Sequence, residues 1–192
     1  MDFLEEIAGS DPVPAGGAAA AYSTCLAVGL IYKVVLLEIK RGIKENTGQE
    51  NLFMIKKDID RLFGDVKKLV AEDPERYQQF VESRRTADKS RMKIDFQKIV
   101  DVSMRVMEKS DYAFFWINQL LPMIPEQLRT HLQVACELLM GSINATAHVA
   151  RRNIQPIKNS QKKERYLRRI NELLEDYNSR YVKLITQLAS IE

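Results

Sequence analysis

Strand patterning is what this chain lacks most plainly. No stretch alternates apolar and polar residues over the length of a strand, and no Asn-Gly type of hairpin turn occurs, so sheet architectures are set aside at the outset. Cysteine is scarce. Cys25 and Cys136 lie in apolar helical surroundings at neither metal-ligand nor redox spacing, which excludes a disulfide scaffold and suits two reduced thiols in a cytoplasmic protein. Histidine is as scarce. His131 and His148 stand 17 residues apart, or about 25 Å on one continuous helix, and no Cys or carboxylate completes a ligand set around either. No metal is expected. A serine-hydrolase elbow, a Gly-Lys-Ser/Thr phosphate loop and a Rossmann glycine pattern are absent too, which leaves ordinary acids, amides and backbone N–H groups for any chemistry. Charge of one sign is not in large excess. Lys and Arg number 29 against 26 Asp and Glu, a net charge of +3, and only Tyr166 interleaves with the most basic run, so no nucleic-acid partner is expected.

Helical spacing is what the chain has in abundance. A short helix near Phe3 to Ala8 precedes a Pro/Gly loop and a long helix from Ala15 to Arg41, with the break at Gly42 to Gly48. Leu52, Ile55, Ile59, Leu62, Val66 and Leu69 recur at three and four residue steps and predict an amphipathic helix ending before Asp73-Pro74. Asp73 is then expected to cap a further helix with Pro74 in its first turn. Ser83 to Lys93 loses its apolar residues and predicts a solvent-facing connection. A helix resumes through Phe96 and Met107, Asp111 is expected to cap the next, Pro122 and Pro125 interrupt, and Pro125-Glu126 starts a helix reaching Ile154. A last amphipathic helix covers Gln161 to Ile191. These elements predict an all-α chain, an antiparallel multi-helix bundle with long core helices, in a single domain over residues 1–192.

Gly16 to Ile39 is nearly uncharged and close to the ~20 residues that cross a bilayer. Its many small residues, scattered Tyr and Ser, and lack of a companion span argue instead for a helix buried by its neighbours, and no membrane is expected. The opening Met1 to Glu6 is acidic where an export signal is basic, which fits a cytoplasmic chain. Small residues at Ala18, Ala19, Ala21, Ala27 and Gly29, with large ones at Leu30, Ile31, Val34, Val35, Leu36 and Leu37, present more apolar surface than one stripe buries. A homo-oligomer, at least a dimer, is therefore expected through this helix.

Three positions have the context for acid/base work: Asp11, Asp73 and His131. Two of them have a structural counterpart, a turn-shaping role for Asp11 and a helix cap for Asp73. Pro12 and Pro14 keep the preceding loop extended, and Gly16 and Gly17 leave bare backbone at a helix start whose N–H groups attract anions. The basic run Arg151, Arg152, Lys158, Lys162, Lys163, Arg165, Arg168 and Arg169 surrounds Asn153 and Pro156; it is either a solvated corner or an anion site.

The loop Pro12-Val-Pro14-Ala-Gly16-Gly17-Ala-Ala-Ala-Ala21 resembles the Pro-x-Pro-Gly-Gly-Gly-Ser/Ala-x-Ala-Ala signature of the cyclodeaminase/cyclohydrolase family, comprising the C-terminal domain of formiminotransferase-cyclodeaminase and stand-alone methenyltetrahydrofolate cyclohydrolases. The likeness continues in Phe3-Leu-Glu-Glu6, in Glu72-Asp73 followed by Tyr77, and in Val134 to Gly141 leading to Arg152-Asn153-Ile-Gln-Pro-Ile-Lys158. It implies a folate one-carbon enzyme with a tetrahydrofolate derivative, polyglutamylated or not, as substrate and with no metal. Either ammonia leaves 5-formiminotetrahydrofolate as N10 closes on the formimino carbon, or water adds to 5,10-methenyltetrahydrofolate. By position, the resemblance gives proton transfer to Asp11 or Asp73, N–H donors to Gly16 and Gly17 beside Pro14, and the pterin or its tail to Arg152, Asn153 and Lys158. Departures fall at polar positions: Ala15 for the first glycine, Ala87-Asp88 for a Pro-Lys, Thr130-His131 for a Ser-Asp, and Val149 for an Asn. They keep open a non-catalytic paralogue that binds folate or a protein partner.

Overall fold

A computed structural model describes residues 3–45 and 50–189, and among them every element is helical. In chain order these are α1 (Phe3–Ile7), α2 (Gly16–Glu45), α3 (Glu50–Arg85), α4 (Lys89–Leu120), a 3-10 turn over Leu121–Met123, α5 (Glu126–Ile154) and α6 (Ser160–Ala189). The all-α expectation holds. Its boundaries differ in instructive places. Gly42 does not break α2, because the helix is buried on three sides and runs on to Glu45; Gly48 and Ile191 lie outside the described residues.

Asp73-Pro74 was expected to divide two helices, yet α3 passes straight through both. Pro74 removes one backbone donor, the N–H that would reach the Val70 carbonyl, and the neighbouring packing outweighs that loss. Leu52, Ile55, Ile59, Leu62, Val66 and Leu69 are all buried on one face of α3, and a helix of this length, about 54 Å, is held by tertiary contact more than by propensity. Asp111 likewise lies inside α4 rather than at its start. Its carboxylate pairs with Arg180 of α6. The cap of α4 is instead Asp88, which accepts hydrogen bonds from the Ser90 and Arg91 N–H groups at 3.1 and 3.0 Å.

α2 is packed by α3, α4 and α5. Ala18, Ala20, Ala21, Ala27 and Val28 are buried in its first half, and their short side chains let the neighbouring backbones come close. Three hydroxyls meet at the centre. Thr24 Oγ1 lies 2.9 Å from Ser110 Oγ of α4 and 2.6 Å from Ser142 Oγ of α5, while Ser142 also donates to the Ala20 carbonyl at 2.6 Å and Ser110 to the Val106 carbonyl at 2.9 Å. All three residues are buried. By length and composition Gly16–Gly42 could also cross a membrane. Its apolar character on the inner side is accounted for by these neighbours.

Thr24→Val keeps the shape but withdraws the hydroxyl that joins α4 to α5. It should cost about 1–3 kcal/mol of unfolding free energy, read by chemical denaturation. A change within a few tenths would mean that the three hydroxyls do not act as a joint.

Candidate functional site

The α2 N-terminus is flanked on one side by α3 and on the other by α5. A Cβ placed on Gly17 would lie 2.3 Å from Asp73 Oδ1, and one placed on Gly16 would lie 3.7 Å from Val149 Cγ2. Gly17 is thus a glycine for space, since any side chain there would drive the carboxylate away. Asp73 accepts a hydrogen bond from the Ala18 N–H. It therefore caps a helix after all, but α2 and from a distance of 55 residues, and the anion drawn to this helix end belongs to the protein itself.

Burial pushes the Asp73 carboxyl above its ordinary value, and the Ala18 N–H only partly offsets that. The next residue back behaves in the opposite way. Glu72 bonds Arg105 of α4 at 2.7 Å and Arg76 at 2.9 Å, and the Arg105 guanidinium foremost holds its carboxyl below the usual range. Adjacent carboxylates are thereby separated into a fixed ion pair and a proton-accepting group. That separation marks Asp73 as the acid/base candidate.

A cleft of about 620 Å³ opens beside it, lined by Glu6, Asp11 and Pro14 from the N-terminal segment and by Val70, Pro74 and Glu75 of α3. Asp11 is exposed at its edge. Phe3 fixes the segment by stacking on Tyr22 of α2, ring centroids 4.4 Å apart. A second cleft of about 580 Å³ lies farther along the α2/α3 surface and is apolar, with Tyr22, Cys25, Leu26, Leu30, Phe63 and Leu138 around it. Lys67 and Val70 line both. Burial raises the Cys25 thiol, moderated by Lys67.

Asn153 is half-buried and Arg152 exposed, one turn beyond Val149 on the side of α5 that meets Gly16. The structure thus gathers Asp11, Asp73, Pro14, Gly16, Gly17, Arg152 and Asn153 at one end of the bundle. His131 is a correction. α5 runs antiparallel to α2, and His131 stands 18 residues before Val149, about 27 Å away along the helix, so it does not reach this site within one subunit. The basic run is also divided. Lys158 is exposed in the turn after α5, whereas Lys162, Arg165 and Arg169 face Asp101 and Arg105 across a separate cleft of about 700 Å³ between α4 and α6. Among the described residues, no three His, Cys, Asp or Glu side chains are grouped as metal ligands.

Lys67 and the Glu72–Arg105 pair were not singled out from sequence. Both sit on the polar side of a helix whose apolar stripe dominates the pattern, and only the packing of α1, α2 and α4 shows which polar residues face a cleft.

A sequence profile described as formiminotransferase-cyclodeaminase matches residues 1–172. The fold is similar to the crystal structure of formiminotetrahydrofolate cyclodeaminase from Thermotoga maritima, with a TM-score of 0.87 over 98% of this chain and 94% of that one. The two are 16% identical, so that match speaks for the fold alone. No curated protein matches the sequence.

Asp73 also makes a prediction about stability. Its folded-state pKa is raised above 3.8, so the protonated form favours folding, and that contribution is lost as pH rises through the folded value. At neutral pH the ionised carboxylate opposes folding, and Asp73→Asn should melt at a higher temperature than the parent. The gain should shrink as pH falls and vanish below 3.8. A variant less stable at pH 7 would show the carboxylate to be a structural cap.

Proposed function

The chain belongs to the formiminotransferase-cyclodeaminase family, and on that premise we propose that it is a folate one-carbon enzyme acting at the N5–carbon–N10 bridge. The reaction is either the cyclodeamination of 5-formiminotetrahydrofolate or the hydrolysis of 5,10-methenyltetrahydrofolate. The observation that carries this reading is the desolvated Asp73 carboxylate held at the α2 N-terminus beside an acidic cleft. Both substrates carry an amidinium-like cation when protonated or cyclised, and Glu6, Asp11 and Glu75 line the cleft with the matching sign.

In cyclodeamination N10 attacks the formimino carbon, giving a tetrahedral carbon between two nitrogens. Asp73 takes the N10 proton and returns it to the amino group, which leaves as ammonia while the methenyl bridge forms. In hydrolysis the same carboxylate takes a proton from the water that attacks the methenyl carbon and returns it to N5 as the C–N5 bond breaks, while the hydroxyl proton of the adduct passes to solvent and leaves a formyl group on N10. A carboxyl raised toward the working pH serves either transfer better than an ordinary one. In this reading Pro14, Gly16 and Gly17 shape the mouth, Arg152 and Asn153 hold the pterin, and Lys158 lies at the outer edge. The substrate is a tetrahydrofolate, polyglutamylated or not; we include no metal, nucleic acid or membrane in the reading, and place the protein in the cytoplasm.

One observation favours the other reading, a diverged folate-binding or protein-interaction module without catalysis. Val149 puts a methyl group against Gly16 where the family pattern has an amide.

The two readings separate in an assay with both folates, following the methenyl chromophore and released ammonia. Turnover of one is expected, Asp73→Asn should lower kcat by about two to four orders of magnitude, and Asp11→Asn, at the exposed edge, should leave kcat within a few fold. Folate binding with no turnover would establish the module instead. Binding of neither folate would remove the enzyme and the folate-binding module and leave only the protein-interaction module.

The proposal extends to a homo-oligomer, at least a dimer, through the outer face of α2. Ala27 is fully buried in the core and cannot serve as contact, contrary to expectation, but Leu36 and Leu37 on that outer face are 40% and 37% exposed. Light scattering should report a multiple of 22.1 kDa, and Leu36→Glu with Leu37→Glu should give a folded monomer. A parent protein that is monomeric at micromolar concentration would overturn this part.

A further inference from the structure

The two clefts on the α2/α3 surface are parts of one groove. Phe63, Lys67, Val70, Pro74 and Gln78 follow each other at three and four residue steps along a single face of α3, and together they floor both. The end nearer Pro74 is acidic and adjoins Asp73. The end nearer Phe63 is walled by Tyr22, Leu26, Leu30 and Leu138 and is apolar.

Lys67 stands at the waist between them. Its ammonium lies 5.7 Å from the centre of the Phe63 ring, and among the described residues no carboxylate forms an ion pair with it. Such a cation beside an aromatic wall is an anion-binding group without its anion. Lys67 and Asp73 are six residues apart on α3, about 9 Å along its axis. A tetrahydrofolate whose N10 is at Asp73 has to send its benzoyl ring and glutamate in some direction, and the ring with its amide link reaches about as far.

We propose that Lys67 is a positioning residue that binds a carboxylate of the substrate's glutamate, with the aminobenzoyl ring laid along the groove over Val70, between Asp73 and Lys67. This assignment rests on the folate reading above and deepens it. It takes the first glutamate away from Arg152 and Lys158, which lie across the α2 N-terminus on α5 and beyond it, and leaves those residues to the pterin side and the rim. Lys67 touches no reacting atom. Its contribution is uniform, holding ground state and transition state alike, so it appears in KM and in binding rather than in kcat.

The test compares tetrahydrofolate with the primary amide of tetrahydropteroate, which has no carboxylate, on the parent, Lys67→Met and Lys67→Arg. Lys67 is exposed, so both variants should keep the parent's melting temperature. Calorimetry should show tetrahydrofolate binding weakened about ten- to a hundredfold by Lys67→Met, binding of the amide unchanged, and Lys67→Arg close to the parent. The KM of the glutamate-bearing substrate should rise by the same factor with kcat within twofold. Equal loss for both ligands, or no loss for either, would overturn the assignment. Absence of turnover with the glutamate-dependent loss intact would overturn the catalytic reading and leave the groove standing.

Discussion

Everything in this structure depends on how closely α2 is approached by its neighbours. Three long helices pack against it, and the side chains at their meeting points are Ala18, Ala20, Ala21, Thr24 and Ala27. Close approach brings backbone and hydroxyl groups into a space from which water is excluded, so each buried polar group needs a partner inside the protein. Thr24, Ser110 and Ser142 provide that for α2, α4 and α5. Larger residues would push the helices apart, and with them the two that frame the α2 N-terminus.

The same closeness creates the site. Asp73 reaches the Ala18 N–H only because Gly17 presents no side chain, and burial there raises the carboxyl while a residue away Arg105 lowers Glu72. A fold selected for stability alone would put a neutral group at the first position. Retaining a desolvated carboxylate opposes folding at neutral pH, which is the kind of local cost that functional sites carry. The resemblance to the family leaves Asp11 and Asp73 as candidates, and the electrostatic separation favours the second.

Charge on the surface is organised by helix face rather than by sequence run. The cations after Arg151 are continuous in sequence, yet α6 turns Lys162, Arg165 and Arg169 toward α4 while Arg152 stays at the end of α5. Lys67 and Lys68 are neighbours in sequence, yet only Lys67 lines the two clefts on the α2/α3 surface. A cation's surroundings matter more than its company in the sequence, because desolvation and geometry set the strength of an ionic contact.

Periodicity was enough to read the helical class, the amphipathic faces of α3 and α6, the start of α5 at Pro125-Glu126 and the loop whose motif resembled the family. Those are local properties, decided by residues within a few turns of one another. The course of α3 through Pro74, the place of Asp111 inside α4 and the separation of His131 from the loop were decided by packing, since a buried helix outweighs one missing hydrogen bond and an antiparallel pairing sends its two ends apart. Asp73 shows both parts together. Its acid and its neighbouring proline were legible as a helix cap, which is a local idea, but the helix it caps is α2, and only the tertiary approach of α3 to Gly17 brings that carboxylate to that end.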